Sequence, residues 1–394
     1  MQNIVKVVFV SSLLGALVYG DDITQMFVNG KESGDLRFLY AGKSQKEIGA
    51  VNFYSSVVGG SLKYELAEYS GFSGSAEFVT AYDIPFASGD RSKEKNYAEV
   101  SSSNGYYTTL SQAYLNYKYD GLNLRVGRQV LETPLANNDD RMMIQNTFEA
   151  YMATYEINSF TLTAGNLQNY QGVDVGLDTG WSNPTGEDGT WFGGVTYKDA
   201  IEANAWYYNI SKLLNAVYID MSMEYQLNDA IAVGAGVQYL NQRELENSGS
   251  EANIYGAVAG LSVYDLGFSV AYDKSIKVAG KASFSGFGGG CMYTSMDTMI
   301  IDVITEDRDA DALLAGVSYA VFDFTLSYNY GNFVGDKNSV GDKAHIIEQD
   351  IGGQYTFNEN LLASVFYIIS NDEESSIKTS YDWNRVQATV RYSF

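Results

Sequence analysis

Histidine, cysteine and proline are almost missing from this chain, which has one His, one Cys and three Pro in 394 residues. A single histidine, His345, sharply limits general-base, triad and metal chemistry. Cys291 has no partner in the chain, so no internal disulfide forms; it falls in a glycine-rich stretch and is read as unreacted. We therefore expect no catalytic residue, no metal site and no cofactor. Positive charge is also scarce, with 25 Lys and Arg against 48 Asp and Glu and a formal net charge of −23. A nucleic-acid binder needs the opposite balance, so nucleic acid is excluded as a partner. Beyond the first 20 residues there is no apolar run of about 18 residues, which excludes a helical span.

What the chain has instead is tyrosine (32), glycine (39) and phenylalanine (19), set in a repeating pattern. The first 20 residues stand apart. Lys6 precedes the apolar run Val7–Val18, and Val18-Tyr19-Gly20 leads into Asp21-Asp22. That order reads as a secretory leader over 1–20, too short in its apolar part to span a bilayer, followed by one domain over 21–394. The domain alternates with a period of two. In Phe322–Tyr330, Phe, Phe, Leu, Tyr and Tyr occupy one face and Asp, Thr, Ser and Asn the other. Successive side chains on a strand point to opposite faces, so each such segment has an apolar and a wet side. Alternation alone fits either a soluble sandwich or a membrane barrel.

The connections choose between them. About eighteen strands of about 9–14 residues are read, the length that a tilted membrane strand requires. They start near 34, 58, 71, 107, 121, 149, 159, 190, 200, 214, 230, 253, 266, 311, 322, 346, 359 and 383. Every second connection is a tight turn, such as Asp120-Gly121, Asn158-Ser159 or Asn228-Asp229. The others are mostly long: 83–106, 131–148, 168–189, 275–310, 332–345 and 371–382, with a short one at about 209–213. The expected fold is all-β: a transmembrane antiparallel barrel with short periplasmic turns and long extracellular loops in a Gram-negative outer membrane. Tyrosines beside the turns predict two aromatic girdles. The last strand alternates Val386, Ala388, Val390, Tyr392 and Phe394 with Arg385, Gln387, Thr389, Arg391 and Ser393. Ending on Phe394, it looks like the signal read by the barrel-insertion machinery, and pairing with a first strand at about 34–42 would close the sheet. The remaining partners expected are outer-membrane lipid, lipopolysaccharide and small hydrophilic solutes. A homotrimer is left open.

Three stretches resemble the OprD-type outer-membrane porins and their epsilonproteobacterial relatives. They are Leu124-Arg125-Val126-Gly127-Arg128-Gln129 running into Thr133-Pro134, Asn138-Asp139-Asp140-Arg141-Met142-Met143 running to Thr147-Phe148-Glu149, and the hairpin from Leu62-Lys63-Tyr64-Glu65 to Tyr69–Gly74. The resemblance implies an eighteen-stranded barrel narrowed by an inward-folded third loop, with a ladder of basic residues leading carboxylates past the constriction.

Parity supplies such a wall. With the apolar set facing lipid, Arg37, Lys63, Lys118, Arg125, Arg385 and Arg391 face the lumen along one arc. A charge facing lipid at mid-membrane would cost about 2–4 kcal/mol, which constrains the orientation. Glu202, Asp220, Glu224, Glu348 and Asp350 are expected on the opposing arc, and Asp139, Asp140 and Arg141 at a constriction formed by the third loop, about 131–148. The reading is a passive porin for small hydrophilic solutes, preferring anions or zwitterions such as carboxylates and amino acids. A general-diffusion, cation-preferring trimeric porin is the alternative. An outer-membrane phospholipase or protease and a structural adhesin barrel are the readings from other classes. Gly286–Gly290 follows no nucleotide-binding strand, and Glu306–Asp311 lacks EF-hand spacing, so both are read as loop.

Overall fold

Alternating side chains need two different surroundings, and a closed sheet provides them. The computed structural model describes residues 20–394 except Glu94, so the leader assigned to 1–20 lies, but for Gly20, outside the described residues. The strands are β1 (Lys31–Gln45), β2 (Phe53–Glu65), β3 (Phe72–Asp83), β4 (Tyr106–Tyr119), β5 (Leu122–Gln129), β6 (Thr147–Ile157), β7 (Phe160–Gln171), β8 (Thr190–Lys198) and β9 (Glu202–Ile210). The second half is β10 (Leu214–Asn228), β11 (Ile231–Glu244), β12 (Ala252–Val263), β13 (Leu266–Ile276), β14 (Ala310–Val321), β15 (Phe324–Gly335), β16 (Ala344–Thr356), β17 (Leu361–Asp372) and β18 (Trp383–Ser393). Each pairs antiparallel with its neighbours in sequence, and β1 also pairs with β18 from Asp35↔Ser393 to Gln45↔Trp383. Phe394 and Gly34 exchange both backbone bonds, at 3.1 and 3.0 Å. Among the described strands no edge is left open, which removes the aggregation liability of the last strand.

Tight turns sit at the end that holds Gly20–Val28 and Phe394. Asp120 and Gly121 both have positive φ, 43° and 79°, the mirror-image turn whose twist matches an antiparallel pair. At the other end the connections are L1 (46–52), L2 (84–105), L3 (130–146), L4 (172–189), L5 (211–213), L6 (245–251), L7 (277–309), L8 (336–343) and L9 (373–382). Leu36, Leu62, Leu115, Val390 and their like are exposed on the outer face, as a lipid-facing surface requires. Aromatic pairs mark both rims: Phe160–Tyr197 and Phe324–Tyr355 near the tight turns, with centroids 5.0 and 4.4 Å apart, and Tyr82–Tyr106 and Tyr239–Tyr255 near the loops, at 6.0 and 4.9 Å.

Two differences from the sequence reading have physical causes. β2 begins at Phe53 rather than near 58, because Ser55 and Ser56 break the apolar rhythm and bind L2 instead, through Tyr97 N and Ser88 Oγ, both at 2.9 Å. Residues Gly20–Val28 form a short helix, α1, which docks on the β2–β3 turn through the bond from Ala67 N to Met26 O, 3.0 Å.

The interior is not an open tube. One buried apolar cluster joins L3 and L7 to the wall of β6–β12 and β14–β16, and a second joins L2, L3 and L4 to β1–β3. The seam itself is tight: a Cβ on Gly34 would lie 2.2 Å from Ser61 O and 3.0 Å from the Phe394 ring. Gly34→Val should therefore destabilise the barrel by about 1–3 kcal/mol, read as a lower denaturant midpoint in detergent. An unchanged midpoint would show that closure does not depend on this contact.

Candidate functional site

On β1 the inward positions run Asp35, Arg37, Leu39, Ala41 and Lys43, since Leu36 and Phe38 face out. Register then sets Arg37 directly across from Arg391 and Lys43 directly across from Arg385 on β18. Like charges opposite each other on a sheet repel, and burying an unpaired charge costs several kcal/mol, so these pairs require counter-charges.

The lower pair receives two. Asp35 Oδ2 lies 3.1 Å from Arg37 Nε and 3.4 Å from Arg391 Nε, with Ser61 Oγ donating to Asp35 Oδ1 at 2.7 Å. Asp140, from L3, gives one oxygen to each arginine: Oδ1 to Arg37 Nη1 at 3.0 Å and Oδ2 to Arg391 Nη1 at 3.2 Å. L3 is also held by its backbone, because Arg37 Nη1 donates to Met142 O and Gln387 Nε2 donates to Arg141 O at 2.7 Å.

The upper pair is closed from two loops, L2 and L7. Buried Arg385 forms an ion pair with Asp297 of L7, lies 3.8 Å from Glu99 of L2 and donates to Tyr97 Oη at 3.3 Å. Lys43 stacks over the Trp383 ring, 4.2 Å from its centroid. Arg141 reaches the same Glu99 at 3.2 Å, Asp139 at 2.8 Å and Asp174 of L4 at 3.9 Å. Burial works against the Arg141 charge, but these three carboxylates outweigh it and hold the guanidinium more firmly protonated than usual. Burial likewise pushes the Asp174 carboxyl above the ordinary range, against the bond from Asn146 Nδ2 (2.5 Å).

Towards the tight turns the basic residues are less enclosed. Lys63 pairs with Glu65 at 2.6 Å. Arg125 donates to Asn116 Oδ1 at 3.2 Å and stacks over Tyr114 at 4.4 Å. Lys118 is exposed on the same face of β4 as Asn116. All six expected basic residues thus lie on β18, β1, β2, β4 and β5, a contiguous stretch of wall, with Lys43 as a seventh.

The acidic set divides. Glu202, Asp220 and Glu224 lie on β9 and β10, halfway round the ring from β1, with Asp220 bound by Asn204 Nδ2 at 3.2 Å and Glu202 by Lys198 at 3.1 Å. Glu348 and Asp350 do not oppose the basic wall. They sit on β16, two strands from β18, and L7 covers them. Glu348 accepts bonds from Thr298 N at 2.9 Å, Thr298 Oγ1 and Met299 N at 3.3 Å, while Asp297 N lies 3.4 Å from Asp350 Oδ2. These carboxylates mount a loop rather than face a solute. On β13, Asp273 does the same through Thr294 N and Oγ1, at 2.8 and 2.6 Å.

L3 and L7 also clasp each other. Phe287 N donates to Leu135 O at 2.8 Å, and Asn137 Nδ2 donates to Gly289 O at 2.7 Å. Gly288 has φ +135°, and a Cβ there would lie 2.6 Å from Asn137 O, which explains the glycine run as a close backbone approach. Cys291 is a free thiol in this loop, which packs against the larger core.

Sequence parity could have found Lys43 and Asp35, which follow from Arg37 by steps of two. It had no means to find Glu99, Asp174 or Asp297, which lie on loops without a period.

Comparison with known proteins adds the family. The model described as outer membrane porin, OprD family, matches residues 80–393. No curated protein matches the chain. Among solved structures, OccAB3 of Acinetobacter baumannii superposes with a TM-score of 0.80 at 14% identity, covering 93% of this chain and 99% of that one. OccK9 (OpdG) of Pseudomonas aeruginosa gives 0.79 at 14% identity, covering 94% and 99%. OpdK of Pseudomonas aeruginosa, solved with vanillate, gives 0.78 at 14% identity, covering 94% and 99%. Those similarities carry the fold, and the family model carries membership. The chain belongs to the OprD family of outer-membrane porins, multi-pass β-barrel channels of the Gram-negative outer membrane.

Proposed function

We propose that this channel passes small anionic and zwitterionic organic solutes, carboxylates foremost, along its basic wall. The observation that carries this reading is the descending set of inward cations. Lys43 and Arg385 stand near the loop end, Arg37 and Arg391 six residues further from it, and Lys63, Arg125 and Lys118 towards the tight turns. A guanidinium offers a carboxylate two parallel N–H donors, so each rung can bind the same group in turn. Conduction needs sites that attract yet release, and a series of similar sites provides that. Across the lumen, Glu202, Asp220 and Glu224 supply the opposite sign, which orients a dipolar solute with its carboxylate towards the ladder. OpdK, similar in fold, was solved with vanillate, itself a carboxylate. L3 and L7, pinned across the wall, serve as the constriction, with Asp139, Asp140 and Arg141 at its L3 side.

Two outcomes are expected. In a planar bilayer under a KCl gradient, wild type prefers anions, and Arg125→Gln/Arg391→Gln lowers the anion-to-cation permeability ratio at least roughly twofold. A cation preference untouched by the double variant would point instead to general diffusion governed by the net charge of −23. Glu348→Ala removes the acceptor for two backbone N–H groups of L7, a loss of about 1–3 kcal/mol per buried donor. It should raise single-channel conductance and open 277–309 to limited proteolysis. Unchanged conductance and cleavage would show that L7 is not the constriction that Glu348 supports.

A further inference from the structure

Every arginine on the upper and middle rungs is already occupied by a carboxylate from a loop. We infer that Asp140 and Asp297 are built-in surrogates for the solute: they hold the anion positions of the ladder in the resting channel, and a permeating carboxylate advances by exchanging with them. The inference rests on the ladder reading above and adds residues that set its affinity.

The geometry distinguishes these two acids from the structural ones. Asp35 belongs to β1 itself, is buried, and is fixed by Ser61, so it orients Arg37 and Arg391 from below. Asp140 spans the two guanidinium groups with one oxygen on each, at 3.0 and 3.2 Å, as a free carboxylate would, and its side chain stays 28% exposed. Arg391 is 39% exposed, so an incoming anion can reach it before Asp140 has left. Asp297 pairs with Arg385 alone, with 24% of its side chain exposed against 1% for the arginine, and Glu99, 3.8 Å away, keeps that guanidinium paired while Asp297 leaves.

Neither acid is needed to mount its loop. L3 is held through Met142 O and Arg141 O, and L7 through Glu348 and Asp273. Each carboxylate can therefore leave while its backbone stays in place. Exchange also avoids the main energetic obstacle. A buried guanidinium stripped of its partner costs several kcal/mol, whereas replacing one carboxylate by another keeps it paired throughout. The surrogate in turn competes with the bound solute and speeds its release, which a permanently vacant arginine pair would not do.

The test measures block of chloride current by benzoate in single channels of wild type, Asp140→Asn, Asp297→Asn and Asp140→Glu. The asparagine variants keep the shape and lose the charge. Each should lower the half-blocking concentration of benzoate roughly tenfold, as expected for removal of a competing charge-assisted bond, while Asp140→Glu stays within about twofold of wild type. Wild-type heat-modified mobility on gels confirms that the variants are folded. Benzoate block in wild type that is unchanged or weakened in both asparagine variants overturns the inference and leaves the ladder reading intact. Block that appears only in the asparagine variants supports it in stronger form. No block in any of the four channels removes both the ladder reading and the exchange.

Discussion

Two pairs of like charges face each other across the seam that closes the barrel, Arg37 with Arg391 and Lys43 with Arg385. Repulsion between such neighbours is on the order of 1 kcal/mol, but burying an uncompensated guanidinium costs several times more. Desolvation therefore decides the design, and carboxylates must come to the seam. β1 itself supplies only Asp35. The rest arrive from L2, L3 and L7 as Glu99, Asp140 and Asp297. The same cations thus face carboxylates carried by the inward loops, and the inward loops narrow the lumen.

Once inside, the loops need a core of their own. Backbone entering a barrel must find hydrogen-bond partners and bury apolar surface, as in any soluble fold. L7 meets the first need through Glu348, Asp350 and Asp273, and the second through Phe287, Met292, Met299 and Ile301. The chain accordingly has three surfaces. Apolar side chains face lipid, a packed core lies between loops and wall, and a charged lining remains for solutes.

The strands were legible because their period of two and the turn residues between them are local properties. Asp120-Gly121 and the final Phe394 marked ends that the structure places within a residue or two. Wall cations were legible for the same reason, since parity plus the cost of a charge in lipid leaves each only one direction. The surroundings of Glu348 and Asp350 were not, because parity says inward but does not say what lies inside. Glu348 and Asp350 point inward as read and meet a loop instead of water. Their placement opposite the basic wall also neglected the ring itself, in which β16 stands two strands from β18. Loop residues such as Glu99 and Asp297 carry no period, and only the folded geometry connects them to Arg385.

The central claim is that carboxylates bind on the β18–β1 wall. Anomalous diffraction from crystals of the channel soaked in 4-bromobenzoate tests it most directly. The account predicts bromine peaks whose attached carboxylates lie at Arg37–Arg391 and at Arg385. Bromine found only beside Glu202, Asp220 and Glu224, or nowhere in the lumen while the ligand permeates in bilayers, would contradict it.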